Sequence, residues 1–142
     1  MHAICFRIFV AADEDSAGRL RTENPEYREL NYQETLYNRL VSQYGDSNVS
    51  FENPSGVGTR IDLVVRQENE YWFYEIKTAK SPRACLRDAI GQLLEYAFWR
   101  GAPRVTRLIV VGETALDRDG FEYLDRLKKQ FSLPLEYEPI PI

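Results

Sequence analysis

The sequence predicts an α/β fold, a central mixed β-sheet flanked by helices on both faces. Three observations carry that expectation. Strand-like and helix-like stretches follow one another in the order β, α, β, β, β, α, β, α, β. Glu70 to Thr78 (EYWFYEIKT) begins apolar at successive positions, the profile of a strand covered on both sides. A helix-length segment then separates it from the next apolar strand, as a parallel crossover requires.

Taken in order, Ala3 to Ala11 (AICFRIFVA) reads as a strand, with a place at a sheet edge. Ala12 to Pro25 is polar and acidic with Gly18 and Pro25, a linker. From Glu26 to Tyr44, Leu30, Tyr37, Val41 and Tyr44 recur at helical spacing, Leu36 and Leu40 widen the stripe, and Gly45 ends it. Asn48 to Glu52 is a short strand, followed by a turn at Asn53-Pro54-Ser55-Gly56. Thr59 to Arg66 (TRIDLVVR) and Glu70 to Thr78 are strands joined by a turn over Gln67 to Asn69, a hairpin. Pro82 opens a helix over Arg83 to Arg100 with Leu86, Ile90, Leu93 and Ala97 inward, and Gly101 and Pro103 stop it. Arg107 to Gly112 is a buried strand. Leu116 to Phe131 is a helix with Phe121, Leu124 and Leu127 inward, and Leu133 to Glu138 is a last strand that Pro139 and Pro141 keep from a central position.

The 142 residues suit one domain with a real core. With 44% hydrophobic and 28% charged residues, the composition excludes disorder, collagen and coiled coil as whole-chain readings. No apolar run is long enough to span a membrane, and the first residues lack the order of a signal peptide, so a cytoplasmic location is the default expectation. Cys5 and Cys85 read as free thiols, and with His2 they lack the paired spacing of a zinc site. The net charge of −4 argues against a free-standing protein that coats nucleic acid. That average hides a polarity: Ile76 to Arg107 holds seven cations and two acids, whereas Ala11 to Ser55 holds nine acids and four bases. This is either two solvated faces or a basic rim beside an acidic site.

Four clusters break the hydrophobic pattern. Glu75 and Lys77 alternate onto one side of a central strand, where charge is costly unless paired or put to use; a strand-end salt bridge is the plain alternative. Asp62 sits inside β-branched Arg60-Ile61-Asp62-Leu63-Val64-Val65, and the hairpin brings it toward Glu75. Two such carboxylates repel unless a cation lies between them, and oxygen ligands with open water positions suit Mg²⁺ or Mn²⁺. Glu34 falls within the apolar arc of its helix or on its rim, with Gln33 beside it. Gln92 and Tyr96, four apart on the crossover helix, are placed to touch a phosphate or a base, or else form an exposed helix face. Walker, GxGxxG, HExxH and GxSxG motifs are absent, and the single histidine, His2, gives no support to histidine-based catalysis.

Taken together, Glu34, Asp62 in GTRIDLVV, Glu75 and Lys77 in YEIKT, and Gln92 in AIGQLLEYA resemble the PD-(D/E)xK nuclease superfamily, whose members share the restriction-endonuclease-like fold. The resemblance covers about residues 26 to 112, which would form the catalytic core. Residues 1–25 would be an N-terminal strand and linker, and 113–142 a closing helix and strand. The resemblance implies that Asp62 and Glu75 ligate Mg²⁺ or Mn²⁺, that Glu34 completes or supports the metal shell, and that Lys77 positions or activates water. It implies that Gln92, with Tyr96, touches substrate or orients the site; Lys80, Arg83 and Arg87 are the cations expected to meet it. The family's proline before the aspartate is Ile61 here.

Two functions follow as expectations. The first is a metal-dependent nuclease acting on DNA in preference to RNA. Its size and acidity suit a module delivered by a partner protein, by self-assembly as a homodimer, or by another domain. Prokaryotic antiviral defence or DNA processing is the setting the family analogy suggests. The second is a catalytically silent interaction or sensor module on the same fold, for which the aromatics Trp72, Phe98 and Trp99 would provide contact surface.

Overall fold

A computed structural model of the protein describes residues 24–54 and 60–140. The strand expected over 3–11, most of the linker after it and the end of the turn at 53–56 lie outside the described residues. Among those described, three α-helices and five strands form an α/β arrangement on one mixed sheet. The elements run α1 (Pro25–Tyr44), β1 (Val49–Pro54), β2 (Arg60–Gln67), β3 (Glu70–Ile76), α2 (Pro82–Phe98), β4 (Val105–Gly112), α3 (Arg118–Phe131) and β5 (Leu135–Pro139).

Strand order in space equals strand order in the chain, β1-β2-β3-β4-β5. The first three are antiparallel neighbours, while β3–β4 and β4–β5 are parallel. Connection length explains the change of sense. A tight turn at Glu68 and Asn69 closes the β2–β3 hairpin, whereas α2 and α3 supply the crossovers that parallel pairs require. Pro139, which lacks an N–H, stands on the edge strand β5 opposite Gly112.

Local chemistry sets the helix limits. Gly45 ends α1 at φ 87°, a conformation other residues adopt at a cost, and its N–H donates to the Val41 carbonyl at 2.8 Å. The Ser81 hydroxyl accepts from the Ala84 N–H at 3.2 Å, and Pro82 follows at the first helical position of α2. The Asp117 carboxylate accepts from the Gly120 N–H at 2.8 Å and so caps α3.

Buried apolar side chains form two clusters that divide the strands by alternation. In one, Leu36 and Leu40 of α1 pack with Leu63, Val65, Tyr74, Ile76, Ile109 and Val111. In the other, Leu86, Ala89, Leu93 and Tyr96 of α2 and Leu124 of α3 pack with Val64, Phe73, Leu108 and Val110. Each fully buried aliphatic side chain stabilises the fold by about 1.5–3 kcal/mol relative to exposure. Since β4 contributes to both clusters at consecutive residues 108–111, it is the most enclosed strand.

Two expectations shift. Phe121, expected inward, is 63% exposed, and the buried position on that turn of α3 is Gly120, whose missing side chain lets the helix close on Leu116. The stripe that α1 buries is Gln33, Leu36 and Leu40, while Tyr37, Val41 and Tyr44 flank it half-buried. Among the described residues, no helix is long and apolar enough to cross a membrane.

Candidate active site

The site lies where β2 and β3 part. Their last bridged pair is Leu63 with Tyr74, although β2 begins at Arg60 and β3 runs on to Ile76. One step further in that register, Asp62 stands opposite Glu75. The Ile76 N–H, which a continuing ladder would give to a β2 carbonyl, instead donates to Asp62 Oδ2 at 2.9 Å. On its other side β3 stays paired: Glu75 faces Val110, Ile76 faces Val111, and the Lys77 N–H reaches the Val111 carbonyl at 2.9 Å. The result is a fork with one wall fixed to the centre of the sheet.

Glu75 is 3% exposed, and Gln33 is 8% exposed. They are the two buried amide or charged side chains among the described residues, and both belong to this fork. Glu75 Oε1 lies 3.3 Å from Lys77 Nζ. Glu75 Oε2 is buried without a hydrogen-bond partner. Burial first, then the charge of Asp62, pushes the Glu75 carboxyl up to about 8; Lys77 opposes this and Glu29 adds to it. From α1, Gln33 Nε2 donates to the Asp62 carbonyl at 3.0 Å.

Other buried polar atoms lacking a hydrogen bond have an opposite charge at hand. Arg28 Nε and Glu113 Oε1 face each other at 3.4 Å, and the Arg39 guanidinium is bonded to Glu138 through Nη2. Among the described residues, the charges that act on Glu75 are the carboxylates of Asp62 and, more weakly, Glu29, opposed by the Lys77 ammonium. Such a site calls for a proton or a cation. Among the described residues, no group of three or more His, Cys, Asp and Glu side chains is arranged to hold an ion. Two carboxylates with open positions still suit Mg²⁺, which commonly takes one or two from the protein and fills the rest with water and phosphate oxygens. The unbonded Glu75 oxygen beside Asp62 therefore fits a hard divalent cation.

The remaining expected residues divide. Lys77 joins Asp62 and Glu75 directly. Glu34 does not: it is exposed on α1, and the carboxylate on the site-facing side is Glu29, one turn before Gln33. Gln92 is half-buried, and its Nε2 donates to the Tyr96 hydroxyl at 3.4 Å. Tyr96, expected near substrate, is instead buried in the α2 cluster, where its hydroxyl donates to the Arg60 carbonyl at 3.3 Å and helps hold the start of β2. Lys80, Arg83 and Arg87 are exposed at the start of α2 and just before it, with Arg87 3.9 Å from Asp88.

Sequence reasoning assigned no role at the site to three residues around it: Glu29, Gln33 and Cys85. Glu29 and Gln33 are four apart, so one helix face carries both, and a polar residue in step with Leu36 and Leu40 was the available signal. Cys85, a buried free thiol, reaches the carbonyls of Ala79 at 3.5 Å and Lys77 at 3.8 Å, which ties the segment after β3 to α2. No protein-family model, curated protein or solved structure matches the chain.

Proposed function

We propose that the protein is a divalent-metal-dependent nuclease of restriction-endonuclease-like architecture that hydrolyses phosphodiester bonds, in DNA before RNA. The observation that carries this reading is the buried, unbonded Glu75 oxygen held beside Asp62 and Lys77 where two strands part. For the architecture, support comes from the two apolar clusters: alternate strand residues pack with α1 on one hand and with α2 and α3 on the other, as helices on both faces require.

A phosphodiester is an anion and repels hydroxide. Asp62 and Glu75 are the residues that would hold Mg²⁺ or Mn²⁺, which when bound supplies charge neutralisation and a more acidic water. Lys77 sets an ammonium beside Glu75, where it would offset the charge that develops on the phosphoryl oxygens. Gln92, half-buried on α2, would orient the site. The exposed cations Lys80, Arg83 and Arg87 would meet the phosphate backbone, which positions a substrate without reading its sequence. Phosphate neutralisation supplies much of the affinity for nucleic acid, so a chain of net charge −4 gains by delivery from a partner, a second copy or another domain.

The test is cleavage of supercoiled plasmid and of single-stranded DNA with Mg²⁺ or Mn²⁺, beside EDTA and Glu75→Ala samples. Metal-dependent cutting should fall by about a thousandfold or more in Glu75→Ala. A folded protein that neither cuts nor binds Mn²⁺ would defeat the nuclease reading and favour the silent interaction module.

A further inference from the structure

Gln33 occupies a place where the fold would ordinarily put a leucine. It lies three and seven residues before Leu36 and Leu40, in the stripe that α1 buries. An amide left unbonded there would cost about 1–3 kcal/mol, and Gln33 avoids that by reaching 29 residues along the chain to the Asp62 carbonyl. Asp62 is thereby held twice. Its backbone oxygen is bonded to α1, and its carboxylate is bonded to the Ile76 N–H of β3. The strand residues on either side of it, Ile61 and Leu63, are buried and hold the peptide in place.

We infer that Gln33 is a positioning residue, whose bond from α1 to Asp62 sets the opening of the β2–β3 fork and with it the placement of the Asp62 carboxylate beside Glu75. The effect on the fork stands on this geometry alone; the effect on cation binding rests on the function proposed above. Arg39 provides an internal standard. It also links α1 to the sheet, through Glu138 of β5 at 2.8 Å, but bonds neither Asp62 nor Ile76. Loss of Arg39 therefore weakens the seating of α1 without touching the fork.

The test compares the wild type, Gln33→Met and Arg39→Met by hydrogen exchange at the Ile76 amide in metal-free protein and by calorimetric Mn²⁺ affinity. Methionine keeps the unbranched shape and removes the donor. Gln33→Met should speed Ile76 exchange about tenfold or more and weaken Mn²⁺ binding by about 10- to 100-fold, the range typical of groups that orient a ligand. Arg39→Met should leave both within about twofold while lowering the melting temperature. The inference is overturned if Gln33→Met leaves Ile76 exchange unchanged, or if Arg39→Met speeds it equally. Should Gln33→Met not fold, Gln33→Lys decides, because it keeps a donor: wild-type protection at Ile76 supports the inference and rapid exchange defeats it. A wild type that binds no Mn²⁺ would count against the proposed function, while Ile76 exchange would still settle the role of Gln33.

Discussion

The two ends of β3 handle charge in opposite ways. At the hairpin end, Arg107 on β4 meets Glu136 on β5 through two bonds of 2.6 and 2.9 Å, and its guanidinium lies 4.5 Å from the centre of the Trp72 ring. Tyr44 packs edge-on against the same ring, and Glu70 is met by the Thr106 hydroxyl and by Arg104. Arg107 and Glu70 each have an opposite partner there. At the fork end, among the described residues, Glu75 meets the Lys77 ammonium, feels the charges of Asp62 and, more weakly, Glu29, and keeps an oxygen with no hydrogen bond. The strands are the same, but burial is not: Glu75 is 3% exposed, whereas the Arg107 and Glu136 side chains are about a third exposed. The two ends therefore differ both in burial and in whether the charge is satisfied. Paired groups of this kind hold elements in register, whereas an unsatisfied acid in a fixed frame is poised to take up a proton, a cation or a reacting group.

The largest effect expected from this contrast is on stability against pH. The Glu75 carboxyl is raised from its ordinary value of 4.5 to about 8, chiefly by burial. Between those values the folded chain holds a proton that the unfolded chain releases. Its contribution to stability is therefore complete below about pH 4.5 and is lost as the pH climbs through about 8. Metal-free protein should lose stability at about 1 kcal/mol per pH unit across that window relative to Glu75→Gln, which carries no titrating group. Urea unfolding at several pH values measures the two slopes. Parallel slopes would mean that Glu75 is better satisfied than the geometry indicates.

A smaller effect, and of a different kind, is expected at the other end. Arg107→Met leaves Glu136 without its partner and removes the cation from Trp72. Since both side chains of the pair are about a third exposed, the loss should be about 1–3 kcal/mol, below that of a fully buried pair. On the function proposed above, cleavage per folded molecule should not change. A variant of wild-type stability that cut poorly would tie the hairpin end to the proposed chemistry and erase the distinction between the two ends.

Much of this contrast is legible in the sequence. Asp62 and Glu75 stand out because an acid in a β-branched strand breaks a pattern of period two, and the short hairpin turn leaves little choice of register. The strand and helix order follows from the same kind of signal. The helices are harder. On α1 both Gln33 and Glu34 border a broad apolar arc, and successive residues differ in direction by about 100°. Centring the arc on Tyr37 and Val41 turns Glu34 inward, whereas packing centres it on Leu36 and Leu40, which buries Gln33 and exposes Glu34. Tyr96 misleads for another reason. A phenol beside a glutamine resembles a polar pair, but its ring fills the core and only its hydroxyl needs a partner, which Arg60 provides.

The smallest expected effect concerns α3, where the pattern misplaced a phenylalanine. Phe121, Leu124 and Leu127 are three apart and look like one inward face. Yet Gly120 is the residue pressed against Leu116, so close that a side chain there would collide with it. A helix seated on its glycine is turned by one position, which carries Phe121 outward and leaves Leu124 buried. Phe121→Ser should therefore change stability by less than about 0.5 kcal/mol, as most surface substitutions do. Leu124→Ala should cost about 2–5 kcal/mol by opening a cavity in the α2 and α3 cluster. Urea titration of the two variants separates the cases. Equal losses would mean that Phe121 is covered in solution, and a partner or second copy seated on α3 would then have to be sought.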